Sequence, residues 1–575
     1  MYYYSKMNNI NDALESIYYF FNRNGILTIC GQIGYNYNCD NNKYQCDTCY
    51  RWQNGILIEC IANLYPILKN EYISNSSSLF PIQINNKNFN KNVKFSEFWN
   101  NYVLQIIDQA PYNPCFNRNP QTINEENYIN TCNPNTAGFH FSSNKGSWEH
   151  TDDNLWYCLG FLKYAEKTQN YEIFKQVLII LINVYEFASM NYIFGDNYTG
   201  VFWDNPTDAS GKIKENLKPD GTYNGGKLHF NSVTNLQYII CLIQIEKNID
   251  KYNELKSFIY GNWNLNYIKS IIKKEINNMN TILDKLTLGC LKYSFNSTIC
   301  YSNEIQLIGD TFNSPSCFKL NSKHDDCIIS PDTQSLNKGV YPYTTGLFLY
   351  YASLIDNNKN IITLANRLIE NSKDYNWSGY ITKGNGLLIS TNKGTEPYSC
   401  QTYNSQNYCC GGWSNTCSNG ANGGDANVFG GIFLLYLSYY QLKYNNSIAK
   451  NLIVTNSKLM RPYSYKTNNI CDPFCNNSFT PSSCGHDKQK GLKQNKVKFY
   501  FYNFKQGPCD KICMTSFDSI NALLFYTSNE LINLSPSPSP SPSQSPSHKN
   551  NNTIAIISII LSVLIIFYAI YLLII

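Results

Sequence analysis

No block of Lys and Arg interleaved with aromatics occurs in the 575 residues, and the net charge of +5 is scattered over short patches. Nucleic-acid binding therefore finds little support. The glycines between Gly420 and Gly431 do not follow a strand into a phosphate-binding turn, which removes a nucleotide reading. His140, His150 and His229 lack a serine or cysteine in a recognisable nucleophile setting, so no catalytic triad is visible. Met1 to Arg23 has no uninterrupted apolar core, because Asn8, Asn9, Asn11, Asp12 and Glu15 break it, and so no ordinary secretory signal. Strand-like alternation is scarce throughout.

Cysteine, by contrast, is abundant. Twenty-two cysteines are too many for a reducing compartment unless they bind metal, and most lie in Gly/Asn/Ser-rich stretches where disulfides brace long loops. Cys471, Cys475, Cys484 and His486, and Cys46 with Cys49, have a zinc-like spacing, but the oxidising reading favours disulfides there. No metal or organic cofactor is expected. Sequons at Asn75, Asn197, Asn296, Asn376, Asn445, Asn476 and Asn533 agree with an extracytoplasmic chain, although an Asn-rich sequence produces such matches by chance. A shortened start or an atypical, uncleaved signal would reconcile the amino-terminal segment with the cysteines.

The far end supplies independent support. Ser-Pro alternation from Ser535 to Ser547 gives an extended stalk over residues 534–552. Residues 553–575, Thr553 to Ile575, are almost wholly apolar and long enough to cross a bilayer core of roughly 30 Å. No Lys or Arg follows, and small serines, a polar spacer and an apolar tail are also the layout of a glycolipid-anchor signal. Single-pass and glycolipid anchoring both stay open; either places residues 8–533 outside the cytoplasm, at the cell surface or on a secretory membrane.

Within that ectodomain the apolar spacing is mostly helical. Helices are predicted over Ile10–Phe21, Gln53–Leu68, Phe95–Gln109, Asp153–Lys167, Tyr171–Met190, Phe230–Lys247, Tyr252–Tyr260, Thr344–Asp356, Ile361–Ser372, Val428–Leu442, Ile448–Leu459 and Ser516–Leu531. They pair: a strongly apolar, aromatic member such as Leu347 to Tyr351 precedes a more amphipathic one such as Ile361 to Ala365. Inner helices buried all round and outer helices with one wet face produce this contrast. The fold class expected is all-α, an (α/α)6 toroid of six helical hairpins, in preference to a linear repeat, whose pairs would recur at a fixed length.

One such helix opens with Thr151-Asp152-Asp153-Asn154-Leu155-Trp156. Acids in a first turn complement the helix dipole, so the pair has a capping explanation. It also has a chemical one, since two carboxyls sharing a substrate are what glycoside hydrolysis requires. In a ring of hairpins the inner-helix starts and their preceding loops line one mouth, and Gly200 to Asp204, Lys227 to Asn231, Tyr343 to Gly346 and Asp425 to Gly431 all belong there.

These landmarks, in this order, resemble glycoside hydrolase family 76, the endo-alpha-1,6-mannanases, over most of Gln53 to Leu531. Asp152 to Trp156, continuing into Ala165 to Thr168, is similar to the family's double-aspartate helix. Gly200-Val201-Phe202-Trp203 is similar to its Gly-Gly-Ile/Val-Trp-Trp loop, Phe429 to Phe433 to its Phe-Lys-Gly-Ile-Phe helix start, and Met514-Thr515-Ser516 to the start of its final helix. Thr344 and Thr345 depart from the family's paired amides, and Gly430 and Leu435 from a usual lysine and arginine.

The resemblance implies a retaining glycosidase on alpha-1,6-mannan or a related mannose-containing glycan, with Asp152 as nucleophile and Asp153 as general acid/base. Retention needs the carboxyls about 5 to 5.5 Å apart, and two acids so close resist being charged together. Trp156 and Trp203 are candidate sugar platforms, and Asp204, Asn231 and Tyr343 candidate hydroxyl partners; core packing, turn capping and buried hydrogen bonding are the respective alternatives. A monomer is expected. A mannan transglycosylase and a non-catalytic carbohydrate-binding protein on the same fold remain the rival readings, the second resting on the four departures.

Overall fold

The computed structural model describes residues 2–18, 21, 27, 52–73, 82–84, 87–89, 93–109, 151–203, 216–219, 222–223, 226–227, 229–292, 318–320, 342–356, 358–374, 382–383, 387–388, 401–403, 406–408, 428–464, 498–502 and 516–534. The expected stalk, the apolar segment Thr553 to Ile575, Asp204 and 18 of the 22 cysteines lie outside them. The chain divides into Met1–Ile532 and Asn533–Ile575. No described helix is long and apolar enough to cross a membrane.

Six helices form an inner ring: α2 (Gln53–Leu68), α4 (Thr151–Thr168), α7 (Ser232–Asn248), α9 (Pro342–Leu354), α11 (Phe429–Tyr444) and α13 (Ser516–Leu534). Their order round the ring is their order in the chain. Gly55 and Gly160 let α2 and α4 touch backbone to backbone; a Cβ on Gly160 would stand 2.2 Å from the Gly55 carbonyl oxygen. Helices α4, α7 and α9 pack in succession. Tyr350 of α9 stacks on Tyr436 of α11 with centroids 4.9 Å apart. The Gly431 N–H of α11 donates to Asn521 Oδ1 of α13 at 2.9 Å. Thr527 of α13 lies 3.0 Å, hydroxyl to thiol, from Cys60 of α2 and closes the circle.

Each inner helix has an outer partner: α3 (Phe95–Gln109), α5 (Tyr171–Ala188, extended by the short α6, Met190–Phe194), α8 (Leu265–Lys292), α10 (Lys359–Asp374) and α12 (Ser447–Leu459) follow α2, α4, α7, α9 and α11. The sixth partner is α1 (Tyr2–Tyr18), whose Ser16 hydroxyl meets that of Ser519 on α13 at 2.5 Å. This is the predicted six-hairpin ring, with its last hairpin assembled from distant parts of the chain.

The inner helices are buried nearly all round; twelve residues of α11, from Phe429 to Gln441, are sealed from solvent. Outer helices keep a polar face, so burial of one apolar stripe supplies most of their stability. Asparagine starts five helices. Asn170, Asn231, Asn264, Asn358 and Asn446 each present Oδ1 to a backbone N–H three residues on, satisfying a donor the first turn leaves unpaired.

One expectation is corrected. Tyr252–Tyr260 is not a helix but a 3-10 turn (Asn253–Ser257) running into a short strand (Ile259–Tyr260). The outer helix of that hairpin is α8, 28 residues long, which the sequence reading did not find. Cys60, Cys158 and Cys241, on inner helices and outside the loops where disulfides are expected, are free thiols that fill the core as small apolar side chains.

Candidate functional site

The starts of the inner helices converge on one mouth of the ring, and aromatic rings floor it. Trp52, at the N-cap of α2, stacks on Trp156 of α4 at 5.4 Å and on Phe429, the first residue of α11, at 6.3 Å. Tyr343, in the first turn of α9, packs on Phe429 at 4.4 Å and edge-on against Trp156 at 6.2 Å. Four helices are thereby locked together by side chains from their first two turns.

Asp152 and Asp153 sit above this floor, in the first turn of α4, both half-buried. Trp156 lies three and four residues further on and so on the same helical face, one turn down. Asp152 Oδ1 accepts from the Asp153 N–H at 3.1 Å, and the positive end of the helix dipole favours negative charge there.

A crosspiece, residues 199–203, fixes the start of α4 from the side. The Thr151 N–H donates to the Trp203 carbonyl at 2.8 Å, and the Trp203 N–H to the His229 carbonyl at 2.9 Å. Phe202 N–H bonds Ala188 O at 3.0 Å, Gly200 O accepts from Met190 N–H at 2.9 Å, and Thr199 N–H bonds Phe318 O at 2.9 Å. Asn235, fully buried on α7, grips Val201 at both its N–H and its carbonyl, at 2.9 and 3.0 Å. Gly200 has φ +95°, and a Cβ there would come within 2.6 Å of the Phe318 ring, so only glycine fits the bend.

Asp152, Asp153, Trp203 and Tyr343 are each half-buried; Trp203 is tied to the acid-bearing helix through its carbonyl on the Thr151 N–H, and Tyr343 through its contact with Trp156. Two expected substrate contacts are corrected. Trp156 is only 2% exposed; its indole is engaged by Trp52 and lies parallel to Tyr436 at 6.5 Å, which makes it floor support rather than a sugar platform. Asn231 is 4% exposed and spends its Oδ1 capping α7. Asp204 falls outside the described residues, as does the side chain of Lys227.

Trp52, and the pairing of His229 within the segment Lys227 to Asn231, are not predicted from sequence. Trp52 immediately precedes a predicted helix, where an aromatic at an inner-helix start was the available signal. His229 stacks on Trp203 at 5.6 Å with 23° between the planes, a pairing that no linear pattern announces. Among the described residues no His/Cys/Asp/Glu group has the arrangement of a metal site.

Below the floor lies a second, sealed acid. Glu59 of α2 accepts hydrogen bonds from Tyr436 at 2.9 Å and Tyr439 at 3.0 Å, and Lys163 Nζ stands 5.2 Å over the Tyr439 ring. Burial pushes its carboxyl up to about 7; the tyrosine bonds and the Lys163 charge pull the other way.

No family model and no curated protein matches the chain. Solved structures do. An alpha-1,6-mannanase of glycoside hydrolase family 76 from Salegentibacter sp. HEL1_6 is 12% identical, with 92% of this chain and 99% of that one covered at a TM-score of 0.45. A family 76 alpha-mannanase from Bacteroides thetaiotaomicron is 10% identical, with 92% and 96% covered at 0.45. Dfg5 from Chaetomium thermophilum is 11% identical, with 87% and 93% covered at 0.32. Likenesses of this size transfer no residue roles to this chain.

Proposed function

We propose that this chain is a family 76-type glycoside hydrolase that cleaves alpha-1,6-mannan or a related mannose-containing glycan with retention of configuration. The observation that carries the proposal is the adjacent pair Asp152 and Asp153, half-exposed at a helix start, over an aromatic floor at the open end of a helical ring. An aromatic-walled mouth with two convergent acids suits a sugar, whose ring carbons pack on aromatic faces while its hydroxyls take polar partners.

In the proposed reaction the Asp152 carboxylate attacks the anomeric carbon while Asp153 donates its proton to the glycosidic oxygen, whose bond to that carbon breaks. Asp153, now ionised, takes a proton from water as the water oxygen attacks the same carbon and displaces Asp152, restoring both groups. Trp203 and Tyr343 are the side walls. The positions behind the carbohydrate-binding alternative, Thr344, Thr345, Gly430 and Leu435, are all buried in inner helices, so those departures alter packing rather than the surface a glycan would meet.

We place the enzyme outside the cytoplasm, held to a membrane through Thr553 to Ile575. Supporting this are the cysteine content and the exposure of the described sequon asparagines Asn197, Asn445 and Asn533.

The test is incubation of the purified ectodomain with defined manno-oligosaccharides, following the anomeric configuration of the first product by NMR. Release with the starting configuration, abolished in Asp152→Asn, is expected. Release with inverted configuration would overturn the covalent route. Glycan binding without cleavage, unchanged in Asp152→Asn, would establish the binding-protein reading instead.

A further inference from the structure

Glu275 is a carboxylic acid with 0% exposure on the outer helix α8, far in sequence from every residue of the mouth. It reaches inward to the crosspiece. The Thr199 hydroxyl donates to Glu275 Oε2 at 2.8 Å, and the Tyr238 hydroxyl of α7 donates to the same oxygen at 3.3 Å. Four residues after Thr199 the crosspiece ends in the Trp203 carbonyl, which accepts from the first N–H of the acid-bearing helix. A buried acid is expensive to keep unless hydrogen bonds offset its desolvation, and Glu275 takes such bonds from the crosspiece and from α7.

We propose that Glu275 is a positioning residue for the acid pair: through Thr199 it holds the crosspiece whose Trp203 carbonyl anchors the start of α4. The inference rests on the reading of Asp152 and Asp153 as the reacting groups. Its geometric part concerns the chain alone.

The titratable and charged groups facing Glu275 are Lys274 on its own helix, Tyr238 of α7 and Tyr185 of α5; Asp196, at the head of the crosspiece loop, pairs with Lys274. Burial holds both tyrosines neutral by raising them well above the ordinary phenol range. Burial raises Glu275 as well, to about 7, against the Thr199 bond and the Lys274 charge. In mildly acidic solution the carboxyl is therefore a neutral hydrogen-bonding strut, a role that glutamine reproduces and alanine does not.

The experiment compares Glu275→Ala, Glu275→Gln and Thr199→Val by hydrogen exchange and by kinetics on a defined alpha-1,6-manno-oligosaccharide at pH 5.5. Glu186→Ala is the control: Glu186 is also a buried acid, at 5% exposure, and accepts from Trp263 at 2.5 Å. Expected in Glu275→Ala and Thr199→Val are at least tenfold faster exchange at residues 199–203 and at the Thr151 amide, with kcat reduced about tenfold and KM within threefold. Glu275→Gln should restore both readouts, and Glu186→Ala should lose stability yet leave both unchanged. Exchange at Thr151 in Glu275→Ala and Thr199→Val no faster than in Glu186→Ala would overturn the proposal. So would failure of glutamine to rescue. Should the wild-type chain cleave no mannan while Thr151 exchange responds as expected, the proposed function falls and the positioning role stands.

Discussion

The mouth of the ring and the sealed cluster beneath it both centre on carboxyls ringed by aromatics, and their surroundings assign them opposite work. Asp152 and Asp153 lie at a helix start, half-exposed, at the positive end of the helix dipole. Glu59 lies mid-helix with 1% exposure, its two oxygens taken by Tyr436 and Tyr439. Tyr436 belongs to both regions, since its ring parallels Trp156 and its hydroxyl bonds Glu59. Residue type alone does not mark a reactive acid; access and position along the helix do.

The most direct way to break this contrast is to neutralise one acid in each region. Asp152→Asn and Asp153→Asn should each lower kcat by about a thousandfold or more while leaving the melting temperature unchanged or raised, because half-exposed like-charged groups contribute little to folding. A thermal scan beside an activity assay decides; a large loss of stability would make the pair structural.

Glu59 should behave in reverse, and its pH dependence follows from its raised carboxyl. Because the folded protein holds this proton more tightly than the unfolded chain does, the associated stability is fully present below about 4.5 and is lost as pH rises through about 7. Glu275 acts in the same sense over the same window. Each contributes about 3 kcal/mol of slope between those limits. Denaturant unfolding of Glu59→Gln across pH 4 to 8 should be flatter than wild type by about that amount, and an unaltered slope would contradict the buried-acid assignment.

Gly200→Ala sharpens the comparison at the crosspiece. It should cost about 1 to 3 kcal/mol of stability, since alanine must adopt φ +95° and crowd Phe318. It should also lower kcat, as a change confined to the sealed cluster should not. Asn446→Ala is the smallest change: loss of the cap on α12 should cost about 1 kcal/mol in denaturant unfolding and leave kinetics untouched.

What the sequence made legible follows from periodicity. Gln53–Leu68 and Phe95–Gln109 were predicted with the bounds observed, since continuous apolar patterning defines them. The acids at the start of α4 were legible because Thr and Asp signal a helix opening. Helix α8 was not. Its apolar positions, Ile268, Ile272, Ile276, Met279, Leu283 and Leu286, keep helical spacing but are diluted by lysine and asparagine, whereas Tyr252 to Tyr260 is locally richer in apolar residues. Trp156 read as a platform because sequence places it beside the acids without showing that Trp52 and Tyr436 already occupy its faces. Glu275 was invisible for a related reason: 76 residues separate it from Thr199, and no local pattern reports a tertiary bond.

The hairpin completed by α1 and α13 sets a schedule for biosynthesis. Ser16 must wait for Ser519, 503 residues later, and Cys60 for Thr527. Until α13 leaves the ribosome, α2 and α11 present apolar flanks that it has yet to cover, so nascent chains should depend on chaperones over that interval.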